Sequence, residues 1–365
     1  MTLRTTLIAG VFSALTIATA QSAPRSLGQV FVMTNAATGN AVEVFRHEPN
    51  GSLLLVQTAL TNGSGSGAGL GTQGALALSD DTKVLFAVNA GSSEIASFLV
   101  SDSGLVFVEK VPSGGVGPDS IATRGSLVYT VNAGSANISG FTHSGGELTP
   151  IAGSSQPLSA TNAVPGQIGF SSDGNFLVVT EKNTNLIDVY PIDDSGVAQP
   201  PTIQASTGQT PFGFAFTSRG RLVVSDAFGG VAGAGALTGY KLQSNGQLAV
   251  QNGAVPDHHA APCWVSITTD GVHAYTTNTG DGTVSSYAIG LTGSLTLLTG
   301  ANNTALLGST SGPTDMSLSA DGHFLFVLLS GNGSIAIIRV GAHGELFPVG
   351  TALGVPTGAS GLVAR

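Results

Sequence analysis

The sequence has little charge, one cysteine and no long apolar run beyond its N-terminus. Only 9% of the 365 residues are charged. The single cysteine, Cys263, excludes an intramolecular disulfide, so stability must come from packing. After the first twenty residues no apolar stretch approaches the ~18 residues that a membrane-spanning helix needs. These absences argue against a disulfide-stapled domain and against a helical membrane protein.

Cations are especially scarce, because 12 Lys and Arg face 21 Asp and Glu, which gives a formal net charge of −9. Nucleic acid requires a basic surface to neutralise its phosphates, so we expect no nucleic-acid partner. No polybasic segment favours an anionic membrane surface either. We expect no cofactor, and we expect a monomer with a small-molecule ligand.

Glycine, by contrast, is abundant, with 52 residues, and the mean hydropathy is +0.31. The glycines follow no three-residue period, which excludes a collagen-like chain. Disordered chains are rich in charge and poor in β-branched residues, which is the opposite of this composition. The sequence therefore predicts a glycine-rich, β-rich globular protein with a sizeable core.

The first twenty residues have the pattern of an export signal. Arg4 precedes an apolar stretch over residues 7–17, and Ala18 and Ala20 form an A-x-A cleavage site. We predict a signal peptide over 1–20 and a short segment over 21–28, with cleavage after Ala23 or an uncleaved anchor as alternatives. The mature protein is then secreted or periplasmic.

An internal repeat governs the rest of the chain. Six segments begin with Pro or Gln, continue as a short apolar strand and a turn, and contain three further strands. Successive segments start 45 to 51 residues apart, which is typical of β-propeller blades. Their first residues are Gln73, Pro118, Pro165, Pro211, Pro262 and Pro313.

A seventh, incomplete copy starts at Gln29 and lacks its first strand. Residues 357–365 resemble the missing strand, and their pairing with the first copy would close the ring and remove its open edges. The sequence predicts an all-β protein: one seven-bladed β-propeller over residues 29–365, with four-stranded blades closed by the C-terminal strand.

Polar residues end the second strand of most blades at one repeat position, which holds two carboxylates, Glu181 and Asp226. The linker between blades 5 and 6, on the same side of the disc, contains His258 and His259. A poorly solvated carboxylate has a raised pKa that suits acid–base work, so we predict these four residues as catalytic. The alternatives are a solvated Glu181 paired with Lys182 and a plain surface linker. Consecutive histidines point apart in an extended segment, so we expect no metal site.

A second set of residues is predicted to bind substrate at the channel mouth. Trp264 stands two residues into a first strand, where it either stacks on a ring-shaped ligand or packs between blades. The glycine-rich linker over residues 61–74 is interpreted as a mobile rim loop or partial lid, since its G-x-G-x-x-G lacks the strand–helix context of a dinucleotide site. The predicted substrate-binding residues are Asn89, Asn132, Gln167, Trp264, Asn278 and Asp315.

The blade sequences SSDGNFLVVTEKNTNLIDVYPID and CWVSITTDGVHAYTTNTGDGTVSSYAI resemble the lactonase family of seven-bladed propellers. This family includes bacterial 6-phosphogluconolactonases and fungal carboxymuconate-lactonizing enzymes, and the resemblance extends over residues 29–365. Family blades often carry a Glu after the second strand; Glu181 in VVTEK matches that position, and Asp226 in VSDAF matches a neighbouring acidic one. Family enzymes with anionic substrates carry Arg and His just after the start of the first strand. Those positions here hold Ser120, Gln167, Gly213, Trp264 and Asp315.

Without a cationic clamp, a phosphorylated or carboxylated ligand would be poorly held. We therefore expect a secreted lactonase-like protein that hydrolyses a neutral, sugar-type lactone. One alternative is a non-catalytic ligand- or protein-binding propeller. A second alternative is a carboxymuconate-type cycloisomerase, which would require a basic channel.

Overall fold

The computed structural model describes Met1 and residues 27–365. Apart from Met1, the predicted signal peptide lies outside the described residues. The described chain forms thirty β-strands in seven antiparallel sheets, together with one turn of 3-10 helix, Phe228–Gly230. None of its helical segments is long and apolar enough to cross a membrane.

Each sheet is one blade, and its strands follow one another along the chain from the axis outwards. Blade 1 contains β1 (Gly28–Met33), β2 (Ala41–His47) and β3 (Leu53–Leu60). Blade 2 contains β4 (Leu76–Leu78), β5 (Val84–Asn89), β6 (Glu94–Ser101) and β7 (Gly104–Pro112). Blade 3 contains β8 (Pro118–Arg124), β9 (Leu127–Asn132), β10 (Asn137–Ser144), β11 (Glu147–Pro150) and β12 (Gln156–Pro157).

Blades 4 to 7 repeat this order, and the outer strand is divided in two in blade 6 as it is in blade 3. Blade 4 contains β13 (Pro165–Phe170), β14 (Phe176–Glu181), β15 (Leu186–Pro191) and β16 (Thr202–Ala205). Blade 5 contains β17 (Pro211–Phe216), β18 (Arg221–Asp226), β19 (Ala236–Leu242) and β20 (Leu248–Pro256). Blade 6 contains β21 (Pro262–Ile267), β22 (His273–Asn278), β23 (Thr283–Ile289), β24 (Leu295–Leu297) and β25 (Thr304–Leu306). Blade 7 contains β26 (Pro313–Leu318), β27 (Phe324–Leu329), β28 (Ser334–Val340) and β29 (Leu346–Leu353).

The last strand, β30 (Leu362–Ala364), completes blade 1 as its innermost strand and pairs with β1. Gln29 and Arg365 exchange two backbone hydrogen bonds, of 3.0 and 2.9 Å. The N-terminal and C-terminal ends of the described propeller therefore meet in one sheet. The predicted seven-bladed, all-β ring closed by the C-terminal strand is confirmed.

The core lies between blades, because each sheet packs face to face against two neighbours. Every residue of β14 is buried, although side chains of a strand alternate between its two faces. Between blades 4 and 5, for example, Val178, Phe214 and Tyr240 form one apolar cluster. Full burial of such a side chain contributes roughly 1.5–3 kcal/mol. This arrangement explains why the second strands are almost entirely buried.

Polar side chains on the outer strands clasp each blade to the next. Gln57 Oε1 accepts the Leu105 N–H at 2.7 Å, and Gln57 Nε2 donates to the Leu105 carbonyl at 2.8 Å. Gln204 Oε1 accepts the N–H of Leu248 at 2.7 Å. The same clasp joins Glu109 to Leu148 and Asn252 to Leu295. Each clasp supplies an acceptor to a backbone donor at the start of the next outer strand.

Closure of the ring is testable by substitution in β30. The bonds at Gln29–Arg365 and from Met33 N–H to Gly361 O place the Val363 N–H in the hydrogen-bonded ladder opposite Phe31. Val363→Pro removes this donor and should lower the free energy of unfolding by on the order of 2–3 kcal/mol. The measurement is denaturant unfolding, with Val363→Thr as the control that keeps the N–H. Equal stability of the two variants would mean that β30 does not hold the ring closed.

Candidate functional site

The polar residues that end the second strands do not surround the channel mouth. All five are fully buried, and four of them, all except Asn278, contact the linker that arrives from the preceding blade. The physical reason is radial position: only the first strand of a blade faces the axis, whereas both faces of the second strand pack against neighbouring blades. The structure corrects the expected rim location of Asn89, Asn132, Glu181, Asp226 and Asn278.

Glu181 lies in the interior of blade 4, where its carboxylate anchors Ser159. It accepts the Ser159 N–H at 2.9 Å and bonds from the hydroxyls of Ser159 and Thr184. Its second carboxyl neighbour is Asp188, whose pKa rises to about 8 because of burial and of the nearby Glu181 charge. Asp188 therefore retains its proton near neutral pH. Lys182 does not pair with Glu181, since its ammonium bonds the carbonyl of Gly71 instead.

Asp226 occupies the corresponding place in blade 5. Its carboxylate accepts hydrogen bonds from Thr238 Oγ1 at 2.5 Å and Ser206 Oγ at 3.5 Å. Burial raises its pKa to about 7. A Cβ on Gly208 would lie 2.1 Å from its carboxyl carbon, so the arriving linker must have glycine there. These contacts give Asp226 a structural place between linker and blade.

The two predicted histidines lie apart from these carboxylates. His258 is exposed, whereas His259 Nδ1 lies 2.9 Å from Asp281 Oδ2 and its backbone N–H donates to Asp257 Oδ1. No hydrogen bond or ion pair joins either histidine to Glu181 or Asp226 within residues 27–365. The same part of the chain has no group of three or more His, Cys, Asp or Glu side chains placed to hold a metal ion. The catalytic role of the four residues stays a prediction.

Two of the predicted substrate-binding residues do meet, in a cavity of about 230 Å³ at one mouth of the channel. We call it the mouth cavity. Trp264 and Asp315 line it, and the Trp264 indole, which is 5% exposed, lies 4.9 Å from the Phe212 ring, centroid to centroid. The rest of the lining is glycine, alanine and hydroxyl-bearing residues, and the hydroxyls belong to Thr72, Thr279, Thr314, Ser330 and Ser360.

Asp315 is the only carboxyl group that lines the mouth cavity. Its Oδ2 accepts the N–H groups of Gly74 and Leu362, both at 3.3 Å, and its Oδ1 accepts its neighbour's N–H, that of Met316, at 3.0 Å. Despite these bonds, burial raises its pKa to about 7. Near neutral pH, Asp315 is therefore poised between its acid and base forms.

Gln167 lines an inner cavity of about 220 Å³, which Asp315 also lines, and it joins blades 4 and 5. Its Oε1 accepts the N–H of Phe214 at 2.6 Å, just as Ser120 Oγ accepts the N–H of Ile168 at 3.1 Å. These residues occupy the same place in their first strands as Asp315. A side chain here therefore supplies an acceptor to the first strand of the next blade.

Blade 5 has Gly213 at this place, and Gln73 reaches across the channel to supply the missing acceptor. Gln73 Oε1 accepts the N–H of Val265 at 2.9 Å, and Gln73 Nε2 donates to the Val265 carbonyl at 2.9 Å. A Cβ on Gly213 would lie 2.1 Å from Gln73 Oε1. The absence of a side chain at 213 thus makes room for a residue from the other side of the ring.

Gln73 belongs to a segment, residues 69–74, that crosses the channel and that we call the channel plug. The N–H of Leu70 donates to Ser360 Oγ at 3.1 Å, and that of Gln73 donates to the Gly166 carbonyl at 2.9 Å. The Thr72 carbonyl accepts the Trp264 indole N–H at 3.1 Å. The glycine-rich linker is therefore hydrogen-bonded to several blades, which differs from the expected mobile rim loop.

Sequence reasoning missed the contribution of Lys182 to this mouth. Its ammonium donates to the carbonyl of Gly71 and lies 4.7 Å from the centroid of the Phe212 ring, in a cation–π contact. Burial lowers its pKa, and the buried Asp119 carboxylate opposes this shift. The alternation of side chains along a strand provided a signal for the position of Lys182. Because Glu181 points into the interior of blade 4, the side chain of the next residue is expected to point to the opposite face.

The chain belongs to a family of propellers with this architecture. The family described as "Lactonase, 7-bladed beta-propeller" matches residues 37–157 and 146–227, which together are more than half of the chain. This membership agrees with the resemblance seen in the blade sequences. No protein of curated function matches the chain.

Solved structures with this fold include three that match nearly the whole chain. A Bacteroides fragilis protein provisionally named 6-phosphogluconolactonase has a TM-score of 0.73 at 17% identity, over 93% of this chain and 98% of its own. The periplasmic gluconolactonase of Pseudomonas aeruginosa has a TM-score of 0.73 at 16% identity, over 92% and 98%. A Lactobacillus plantarum protein has a TM-score of 0.74 at 17% identity, over 93% and 100%. At these identities the likeness shows the fold.

The structural place of Asp226 leads to a pH-dependent prediction. The folded protein retains a proton on Asp226 up to about pH 7, whereas the unfolded chain releases it near pH 4, so stability falls as the pH rises between these values. Asp226→Asn should remove this loss and raise the free energy of unfolding at pH 8 by on the order of 2–4 kcal/mol, with no gain at pH 4.

The measurement is denaturant unfolding at both pH values, with the exposed Asp194→Asn as a control for the change in charge. Asn89, Asn132 and Asn278 already stand at the corresponding place in other blades. A variant that loses lactone turnover without gaining stability at pH 8 would instead support the catalytic role.

Proposed function

We propose that the protein hydrolyses a neutral, sugar-type lactone in the mouth cavity. The observation that carries this proposal is the meeting of Asp315, whose pKa is about 7, with the Trp264 ring in one cavity. An aromatic ring offers a surface for the face of a sugar ring, and the surrounding hydroxyls offer hydrogen bonds that orient it. A volume of about 230 Å³ suits a single small ring rather than a polymer.

The charge of the cavity supports a neutral substrate. Its lining contains the Asp315 carboxyl and no Lys, Arg or His. While the channel plug is in place, a phosphate or carboxylate on the substrate finds one negative group and no cationic partner in this lining, because the Lys182 ammonium is bonded to the Gly71 carbonyl of the plug. A neutral lactone is not repelled by the Asp315 carboxylate and does not need a cationic partner.

In the proposed reaction the Asp315 carboxylate removes a proton from a water molecule, whose oxygen adds to the lactone carbonyl. The tetrahedral intermediate then collapses and breaks the bond between the acyl carbon and the ring oxygen. The protonated Asp315 returns its proton to that oxygen, which becomes the hydroxyl of the product. One lactone and one water yield one hydroxy acid, and the carboxyl group returns to its starting state.

The relatives agree with lactone chemistry on this fold. One similar structure bears the name of a gluconolactonase and another that of a 6-phosphogluconolactonase, and the chain belongs to the lactonase family. The first of these is periplasmic by name, which together with the signal pattern over residues 1–20 supports a secreted or periplasmic protein. The remaining parts of the proposal are a monomer, a small-molecule ligand, and no nucleic-acid or membrane partner.

Non-catalytic binding is the second candidate, and the channel plug is the observation that favours it. Gln73 and Thr72 form hydrogen bonds with Val265 and Trp264 in the channel, and these are groups to which a substrate would otherwise bind. A carboxymuconate-type cycloisomerase receives less support, because a diacid would lie against Asp315 without a cation in the cavity lining. Turnover of a lactone separates these candidates.

The test of the proposed function is the pH profile of lactone hydrolysis with and without the Asp315 carboxylate. Turnover of glucono-δ-lactone should rise about tenfold per pH unit below about 7 and level off above it, since the ionised form is the base. Asp315→Asn should lower kcat by roughly 10²–10⁴-fold. A pH-stat with subtraction of spontaneous hydrolysis gives both results.

Asp194→Asn is the matched control, because this aspartate is exposed and lines neither the mouth cavity nor the inner cavity. Thermal unfolding of each variant checks that the fold is retained. An Asp315→Asn protein that is folded and fully active would remove Asp315 from the mechanism. A folded wild-type protein that binds lactones without turning them over would favour the binding propeller.

A further inference from the structure

We propose that Lys182 and Trp264 form a two-donor site for an acyl oxygen, which the channel plug covers in this structure and which the substrate uncovers. The ligand is the carbonyl oxygen of the lactone and, after ring opening, the carboxylate of the hydroxy acid. The substrate class rests on the proposed function, but the site itself rests on the contacts of the plug.

Two neighbouring carbonyls of the plug are each held by one side-chain donor. The Gly71 carbonyl accepts from Lys182 Nζ, and the Thr72 carbonyl accepts from Trp264 Nε1 at 3.1 Å. Neither donor has another hydrogen-bond acceptor within residues 27–365. The plug thus presents to the protein the same chemical group, a carbonyl oxygen, that a lactone would present.

Both donors belong to one wall of the channel mouth. The Lys182 ammonium lies 4.7 Å from the centroid of the Phe212 ring, and the Trp264 ring lies 4.9 Å from the same ring. Trp264, Gly71 and Thr72 also line the mouth cavity. A ligand that replaced the plug carbonyls would therefore enter the cavity that already contains Asp315.

Because an unpaired buried donor is costly, the plug carbonyls can leave the two donors only if ligand oxygens replace them. A buried N–H or ammonium without an acceptor costs about 1–3 kcal/mol, and more when it is charged. The plug is therefore not expected to leave Lys182 and Trp264 unless another oxygen takes its place. Gly71 has a φ of +62° and Gly74 one of +81°, so the backbone on both sides of Thr72 is made of residues with wide conformational freedom.

The electrostatic surroundings of Lys182 favour an anionic product. The acidic group that acts most strongly on Lys182 is Asp119, which is buried and whose Oδ1 has no hydrogen-bond partner in the described chain. Residues 27–365 show no ion pair between Asp119 and Lys182, whose ammonium bonds the Gly71 carbonyl instead. Once the plug carbonyl is replaced, this ammonium is available to a carboxylate that arrives from the cavity.

Trp264 makes the proposal directly measurable, because it is the only tryptophan of the protein and bonds the plug itself. Sodium gluconate, an open-chain hydroxy acid, is the probe. We expect a saturable change in the tryptophan fluorescence of the wild-type protein. Lys182→Met should raise the apparent Kd for gluconate at least tenfold, whereas Lys110→Met, which removes a surface cation paired with Glu94, should leave it unchanged.

A second measurement needs no variant and so does not depend on the folding of Lys182→Met. Hydrogen–deuterium exchange of the wild-type protein should become faster in residues 69–74 when gluconate is added, because release of the plug also breaks the bonds that the N–H groups of Leu70 and Gln73 donate to Ser360 and Gly166. Unchanged or slower exchange in this segment would overturn the proposal. An unchanged gluconate affinity in folded Lys182→Met would do the same.

The two proposals fail in different ways. Gluconate binding with plug release, but without lactone turnover, would contradict the proposed enzyme activity and support the two-donor site. Lactone turnover that is independent of Lys182 and leaves the plug protected would keep the enzyme activity and remove the site.

Discussion

Pairing between the two ends of the described chain is the contact on which the remaining structure depends. β30 and β1 form one ladder, so blade 1 has an inner strand and every blade has a neighbour on both sides. Apolar packing between sheets then becomes continuous around the ring, and outer-strand clasps such as Gln57–Leu105 reinforce it. A ring of this kind fixes seven first strands around one axis, and only their side chains and the linkers reach the channel.

Within that ring, one missing side chain determines how the channel is closed. Gly213 leaves the first strand of blade 6 without the acceptor that Gln167 and Ser120 supply elsewhere. Gln73, from the opposite side of the channel, supplies this acceptor to the Val265 N–H, and the glycine-rich linker that contains Gln73 therefore crosses the axis. Together with the bonds of Leu70, Gly71 and Thr72, this cross-channel contact holds the plug over the donors of Lys182 and Trp264.

The site was predictable only where the sequence specified radial position. Trp264 and Asp315 were identified by their place in the first strands, and first strands face the axis, so both residues line the cavity. Glu181 and Asp226 were identified by the side of the disc on which their strands end, which says nothing of the distance from the axis. Both lie between blades, where burial raises the pKa of Asp226 and of Asp188, the neighbour of Glu181.

The sequence by itself determined the repeat, the number of blades, the closure by residues 357–365 and the scarcity of cations. Each of these is written in local periodicity or composition, which needs no knowledge of distant contacts. Only the tertiary structure decided that a linker between blades 1 and 2 meets Val265, Trp264 and Lys182. Those contacts join residues more than a hundred positions apart, and their geometry exists only once the ring has closed.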